Sequence, residues 1–139
     1  MGDINYLVKE LDKEIQSRIK GLKMSTRANI VLQEKGHTLW LYHHSDGYPS
    51  YLGWKLMQIM EKHKKDDGFD IFDIANEMFK DKEDDGFEIT KGQHGDIEYL
   101  YLIDIQDKEI ACLRPDKSLL KRVKYNSDKD IQEWYNFCK

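Results

Sequence analysis

Residues 26–53 constrain the fold more tightly than any other stretch. Residues 26–33 alternate, with Ala28, Ile30 and Leu32 toward one side and Asn29, Val31 and Gln33 toward the other, the period of a strand. Glu34-Lys35-Gly36-His37 reads as a short hairpin turn in which Gly36 supplies a positive φ, and residues 38–42 return antiparallel. Asp46-Gly47 and Tyr48-Pro49 are turn signals, and Ser50 is a suitable N-cap. Residues 52–63 then read as a helix. Its stripe of Leu52, Leu56, Ile59 and Met60 is widened by Trp54 and Met57 until the helix is apolar nearly all round. Such a helix has to be covered on two sides. A hairpin that feeds a doubly buried helix calls for a sheet with helices layered on it.

The rest of the chain supplies the remaining layers. After a charged break at residues 64–68, Asp70 caps a helix over residues 71–80 with Ile71, Ile74, Ala75 and Met78 inward, and residues 81–86 form an acidic loop. Residues 87–90, 97–105 and 109–114 read as a three-strand meander with turns at 92–95 and 106–108. Pro115-Asp116 ends it, and residues 120–125 add one more strand. Ser127 and Asp130 have capping-box spacing before a last helix that buries Ile131, Trp134, Tyr135 and Cys138. Runs of strands separated by runs of helices predict an α+β domain over residues 24–139, an antiparallel sheet of five to six strands packed against helices. Ahead of it, the spacing of residues 3–20 predicts an amphipathic helix with Asp3 as cap, Arg18 and Lys20 at the cationic end and Gly21 as stop. Its Ile4, Val8, Leu11, Ile15 and Leu22, flanked by Leu7 and Ile19, recur near heptad spacing. The stripe suits packing on the domain itself, or self-association as a homodimer through residues 4–22. Met24 is a candidate second start, which would make residues 1–23 an extension of a complete domain.

Charge narrows the function. The chain of 139 residues is 35% charged with a net charge of −4, which argues against general affinity for DNA or an anionic membrane, since both demand clustered Lys and Arg. A basic protein or nucleoprotein effector, or a small anionic, nucleotide-like ligand in a local pocket, fits better. Only Cys112 and Cys138 are present, in keeping with a reduced, cytoplasmic protein. No apolar run reaches transmembrane length, and residues 1–20 are too polar for a signal peptide.

The stretch Met24-Ser25-Thr26-Arg27-Ala28-Asn29-Ile30, the Leu-Trp-Leu-Tyr-His-His run at residues 39–44 and Asp46-Gly47-Tyr48-Pro49 with Gly53 resemble a family of small phage, prophage and bacterial proteins. Its members often begin at the position of Met24 and carry a Tyr-x-His-x-Asp-Gly-Tyr-Pro run. Gly95-Asp96-Ile97-Glu98-Tyr99-Leu100-Tyr101 is also similar to a stretch there. The family brings no established activity and no catalytic residues. The resemblance implies a mobile-element setting in a bacterial host cell, where small domains often bind and disable defence machinery.

Two readings compete for the Asp46–Pro49 loop. As a site, the helix start at Ser50 favours an anion, Arg27, His43, Asp46 and Tyr48 surround it, and Trp54 or Tyr48 offers a stacking surface. As plain structure, Asp46-Gly47 only turns the chain, Tyr48 and Pro49 plug an apolar edge, and Arg27 pairs with an acid. Other chemistries find less. His43, His44, Asp46, His63 and His94 are enough ligands for Zn²⁺, but neighbouring strand residues point to opposite faces. Residues 81–92 begin like a Ca²⁺ loop yet end on Gly92 where a bidentate Glu belongs. Ser45, Ser50 and Cys112 lack a nucleophile signature. The expectation is therefore a non-enzymatic binding protein without cofactor, of the phage type that inhibits a bacterial defence system. The alternative is a metal-independent enzyme acting on a nucleotide or phosphodiester at Arg27, His43 and Tyr48.

Overall fold

The structure is a computed structural model that describes Lys9 and residues 26–139 except 67, 82 and 85. The stripe at residues 4–22, its self-association and the boundary at residue 24 lie outside the described residues.

Strands β1 (Ala28–Glu34) and β2 (His37–His43) form the expected hairpin. Its two-residue turn places both Lys35, at φ 43°, and Gly36, at φ 83°, in the left-handed region, the twist that a tight hairpin needs. A π turn (Pro49–Gly53) leads into α1 (Trp54–His63), followed by α2 (Ile71–Phe79), β3 (Phe87–Thr90), β4 (Tyr99–Asp104), β5 (Glu109–Leu113), β6 (Leu119–Lys124) and α3 (Asp128–Cys138). The strands make one six-stranded sheet in the order β3-β2-β1-β4-β5-β6. All neighbours are antiparallel except β1 and β4, a parallel pair at the centre. This is an α+β fold.

The three helices lie on one face of the sheet. Ala28, Ile30, Leu32 and Leu41 join Leu56, Met57, Ile74, Tyr101, Ile110 and Trp134 in the main core. Helix α1 sits between α2 and α3, with α3 over β6, which is why its apolar surface wraps so far round. Capping boxes start α2, from Asp70 with Asp73, and α3, from Ser127 with Asp130. On the opposite face Val31, Tyr42, Ile97 and Leu100 form a smaller buried cluster.

Two expectations are corrected. β3 is not the first strand of a meander, because it pairs with β2 at the sheet edge, while the meander runs β4-β5-β6. Strand β1 is buried on both faces from Ala28 to Leu32 and takes a neighbour on each edge, so the chain passes β2 and β1 before laying down β4. Three strand spacings amount to about 14 Å, within reach of the eight residues 91–98, whose extended span is at most roughly 29 Å. That connector crosses the face opposite the helices, where the His94 N–H bonds Asn29 Oδ1 at 2.7 Å and the Glu98 N–H bonds the Arg27 carbonyl at 2.8 Å. Ser50 is not an N-cap either. The first turn begins at Pro49, two residues earlier than a cap at Ser50 would set it, and its cap position, Tyr48, makes no side-chain cap bond. The Trp54 N–H reaches back to the Pro49 carbonyl to close the π turn.

Candidate functional site

The Asp46–Pro49 loop is pressed against the start of β1. A Cβ on Gly47 would lie 2.8 Å from the Ala28 Cβ and 3.1 Å from backbone atoms of Ala28 and Arg27, so only glycine fits. The Gly47 N–H bonds the Thr26 carbonyl at 2.9 Å, and its own carbonyl accepts from the buried Tyr101 hydroxyl at 2.7 Å. Asp46 sits at φ 53°, a conformation that Asp tolerates better than most residues. One turn on, the Trp134 indole N–H donates to the Gly53 carbonyl at 2.9 Å. The loop is thus bolted to β1, β4 and α3.

Beside it, on the helix-bearing face, lies a buried ionic cluster. Asp84, 9% exposed, receives the Nε2–H of His43, 1% exposed, at 2.9 and 2.8 Å to its two oxygens. It also accepts from the Tyr51 hydroxyl, Lys55 Nζ and the Gly86 N–H, each at 3.0 Å. Lys55 Nζ further donates to Asp81 at 2.6 Å and to the Tyr51 hydroxyl at 2.9 Å, so all three ammonium protons have acceptors. Burial alone would raise the Asp84 carboxyl, but the bond and charge of His43, then Lys55 and the Gly86 amide, hold it well below the usual carboxylate range. Burial likewise opposes the Lys55 ammonium, and its hydrogen bonds to Asp81 and Tyr51 overcome that and raise it. The cluster fastens the 81–86 loop to β2 and α1. Two polar atoms stay without a partner here, His43 Nδ1 and the Tyr48 hydroxyl. Burial, with the Asp46 charge adding to it, pushes the Tyr48 phenol up to about 12.

The residues proposed from sequence divide. His43, Asp46, Tyr48 and Ser50 gather at this corner: burial raises the Asp46 carboxyl, which feels both His43 and Asp84. Trp54 is buried in the core against the Tyr135 ring, 5.6 Å between centroids, and offers no stacking surface. Arg27 is on the other face of the sheet. It pairs with Asp96 at 3.3 Å, whose carboxylate also accepts from the Tyr42 hydroxyl at 2.8 Å, and Tyr42 points away from its neighbour His43. Tyr42 stacks on His94 at 3.9 Å and meets the edge of His44 at 4.8 Å. The histidines weighed as zinc ligands are dispersed, since His63 bonds Asp66 and Glu77 next to Phe69. Among the described residues no group of three His, Cys, Asp or Glu could hold a metal ion. Cys112 and Cys138 are both free and buried.

Sequence reasoning missed Asp84, Lys55, Asp81 and Tyr51. Their signals were a lysine, Lys55, set among the apolar residues that open the helix, four residues after a tyrosine, and an Asp-Asp-Gly-Phe run read as turn chemistry alone. The site and fold together define a small α+β protein whose strongest polar cluster is internal, with its lysine paired to two carboxylates. No family model matches the sequence, and no curated protein or solved structure matches it either. Among the described residues no helix is long and apolar enough to cross a membrane.

Proposed function

We propose that this chain is a non-enzymatic binding protein that acts through its surface on a basic protein or nucleoprotein, of the kind phages use to inhibit a bacterial defence system. One observation carries the reading. Among the described residues, the basic side chains at this end of the sheet that an anionic ligand would need are held by carboxylates of the chain itself: Lys55 by Asp81 and Asp84, Arg27 by Asp96, and the His43 ring by Asp84. Charge to grip a nucleotide, or to steady a phosphodiester in its transition state, would have to be taken from pairs already made. The resemblance to phage and prophage proteins supplies the setting.

The test has two arms. Nucleotides and cyclic oligonucleotides are expected to leave the melting temperature unchanged, since any native-state ligand must raise it. Expression in bacteria carrying defence systems is expected to restore phage plating against at least one of them. A saturable nucleotide shift, with no rescue of plating on any system, would reverse the reading.

A second reading rests on His43 Nδ1. An imidazole whose other nitrogen is fixed by a carboxylate is the arrangement of a general base. Turnover of a nucleotide that disappears in His43→Gln, while the fold persists, would establish the enzyme in place of the binder.

A further inference from the structure

We infer that the outer edge of β3, together with the outward flank of α2, is a docking shelf for an extended, basic segment of a partner protein, which adds to the sheet as a seventh strand. This rests on the binding reading above and supplies its surface and partner chemistry. Among the described residues β3 has a neighbour on one side only. The His44 N–H to Gly86 carbonyl bond at 3.1 Å sets the phase of the β2–β3 ladder. Bonded pairs alternate in an antiparallel ladder, so Glu88 faces Tyr42 and the N–H and C=O groups of Phe87 and Ile89 point to the free edge.

Exposed apolar side chains lie on this side of the molecule, one on the strand and two on the helix beside it. Ile89, 62% exposed, stands on the helix-bearing face opposite the buried Leu41. Phe72 and Phe79, 64% and 46% exposed, are seven residues apart on one flank of α2. Glu77 lies roughly 140–160° round the same helix and bonds His63 and Lys62 of α1, so the two phenylalanines face away from α1. Helix α2 is the outermost of the three on the side away from α3 and β6, which places that flank over the β3 side of the sheet.

Charge selects the occupant. Residues 70–91 carry eight carboxylates against three lysines; Lys55, held by Asp81 and Asp84, and Lys62, beside Glu77, offset two more and leave an excess of three. Most of the chain's overall excess of four negative charges is therefore carried by α2, the 81–86 loop and β3. A second copy would bring like charge against like. A strand that alternates apolar residues with Lys or Arg would cover Ile89 and the phenylalanines and meet Glu83, and Glu88, whose contact with His44 at 3.2 Å is open to solvent and easily exchanged. The β6 edge is closed to the same use by Lys121, Arg122 and Lys124 and by α3 packed on it.

Random short peptides displayed on phage and selected on the immobilised full-length protein test this. The enriched peptides should alternate apolar and cationic residues and weaken as salt rises. Their affinity should fall about tenfold or more in Ile89→Lys and in Phe72→Lys/Phe79→Lys, and hold in Leu119→Lys at the opposite edge. All three variants should melt within a few degrees of the parent. Enriched peptides indifferent to Ile89→Lys, or no enrichment at all, would overturn the shelf. A dimer by light scattering that becomes a monomer in Ile89→Lys would overturn it too, by giving the edge to a second copy. Lost peptide binding with phage rescue intact would sink the shelf alone, and docked peptides without phage rescue would retire only the inhibitor reading.

Discussion

At one end of the sheet two polar clusters sit back to back, built from the same kinds of residue. On the helix side, His43, Asp84, Lys55 and Tyr51 are enclosed, and every proton of Lys55 is spoken for. On the other side, Arg27 and Asp96, 42% and 49% exposed, share the tyrosine hydroxyl of Tyr42. Neighbouring residues of one strand, Tyr42 and His43, serve the two clusters. The contrast shows that a pairing gains its hold on the fold from what encloses it. An open pair competes with water and salt, whereas an enclosed one cannot lose a member without stranding the rest.

The largest break in this contrast is Asp84→Ala. It leaves His43 Nε2 buried without an acceptor and removes one of Lys55's acceptors, and the expected loss is about 3–5 kcal/mol in a urea melt. A loss under about 1 kcal/mol would make the enclosed cluster no different from the open one. Next is Gly47→Ala, whose methyl meets the Ala28 Cβ at 2.8 Å. Backbone on both sides cannot give way easily, and the expected cost is about 1–3 kcal/mol.

Acidity sharpens the comparison further. Asp84 titrates below its unfolded value, so its contribution is present above about pH 4 and is lost as pH falls from there. Lys55 titrates above its unfolded value, so its contribution is present below about pH 10 and is lost as the solution is made more alkaline. Asp46 runs the opposite way in acid, since its raised carboxyl is relieved by protonation. The melting temperature is expected to drop between pH 5 and pH 3, and less steeply in Asp84→Asn; equal slopes would remove Asp84 from the account. Smallest is the open pair: a double-mutant cycle on Arg27→Ala and Asp96→Ala should return a coupling below about 1 kcal/mol that vanishes in salt.

Local periodicity carried much of the fold. The capping box of Ser127 and Asp130, the cap at Asp70, the Lys35-Gly36 turn and all six strands within a few residues follow from spacing that neighbours in sequence enforce. The meander at β3 was misread because strand partners are chosen by what each strand must bury on both sides, and for β1 that choice depends on residues 70 positions away. The candidate corner was half legible. His43 and Tyr48 announce themselves beside turn residues, but their fixing partner Asp84 comes from a loop 41 residues on. For Arg27 the plain-structure reading, that it pairs with an acid, is the one the structure shows; its place on the opposite face from His43 could not be read, because its partner Asp96 is brought to it only when residues 91–98 cross the sheet.

The parallel seam between β1 and β4 has a kinetic consequence. Ala28 lies beside Tyr99, so this seam closes a loop of some seventy residues, whereas β1–β2 and β4–β5–β6 close through tight turns. Loop closure over long separations is paid before contacts repay it. The molecule should therefore assemble as two half-sheets that meet last along β1. Substitutions such as Ile103→Val on the seam are then expected to change unfolding rates, with refolding rates little altered; a slowed refolding arm would place the seam in the nucleus instead.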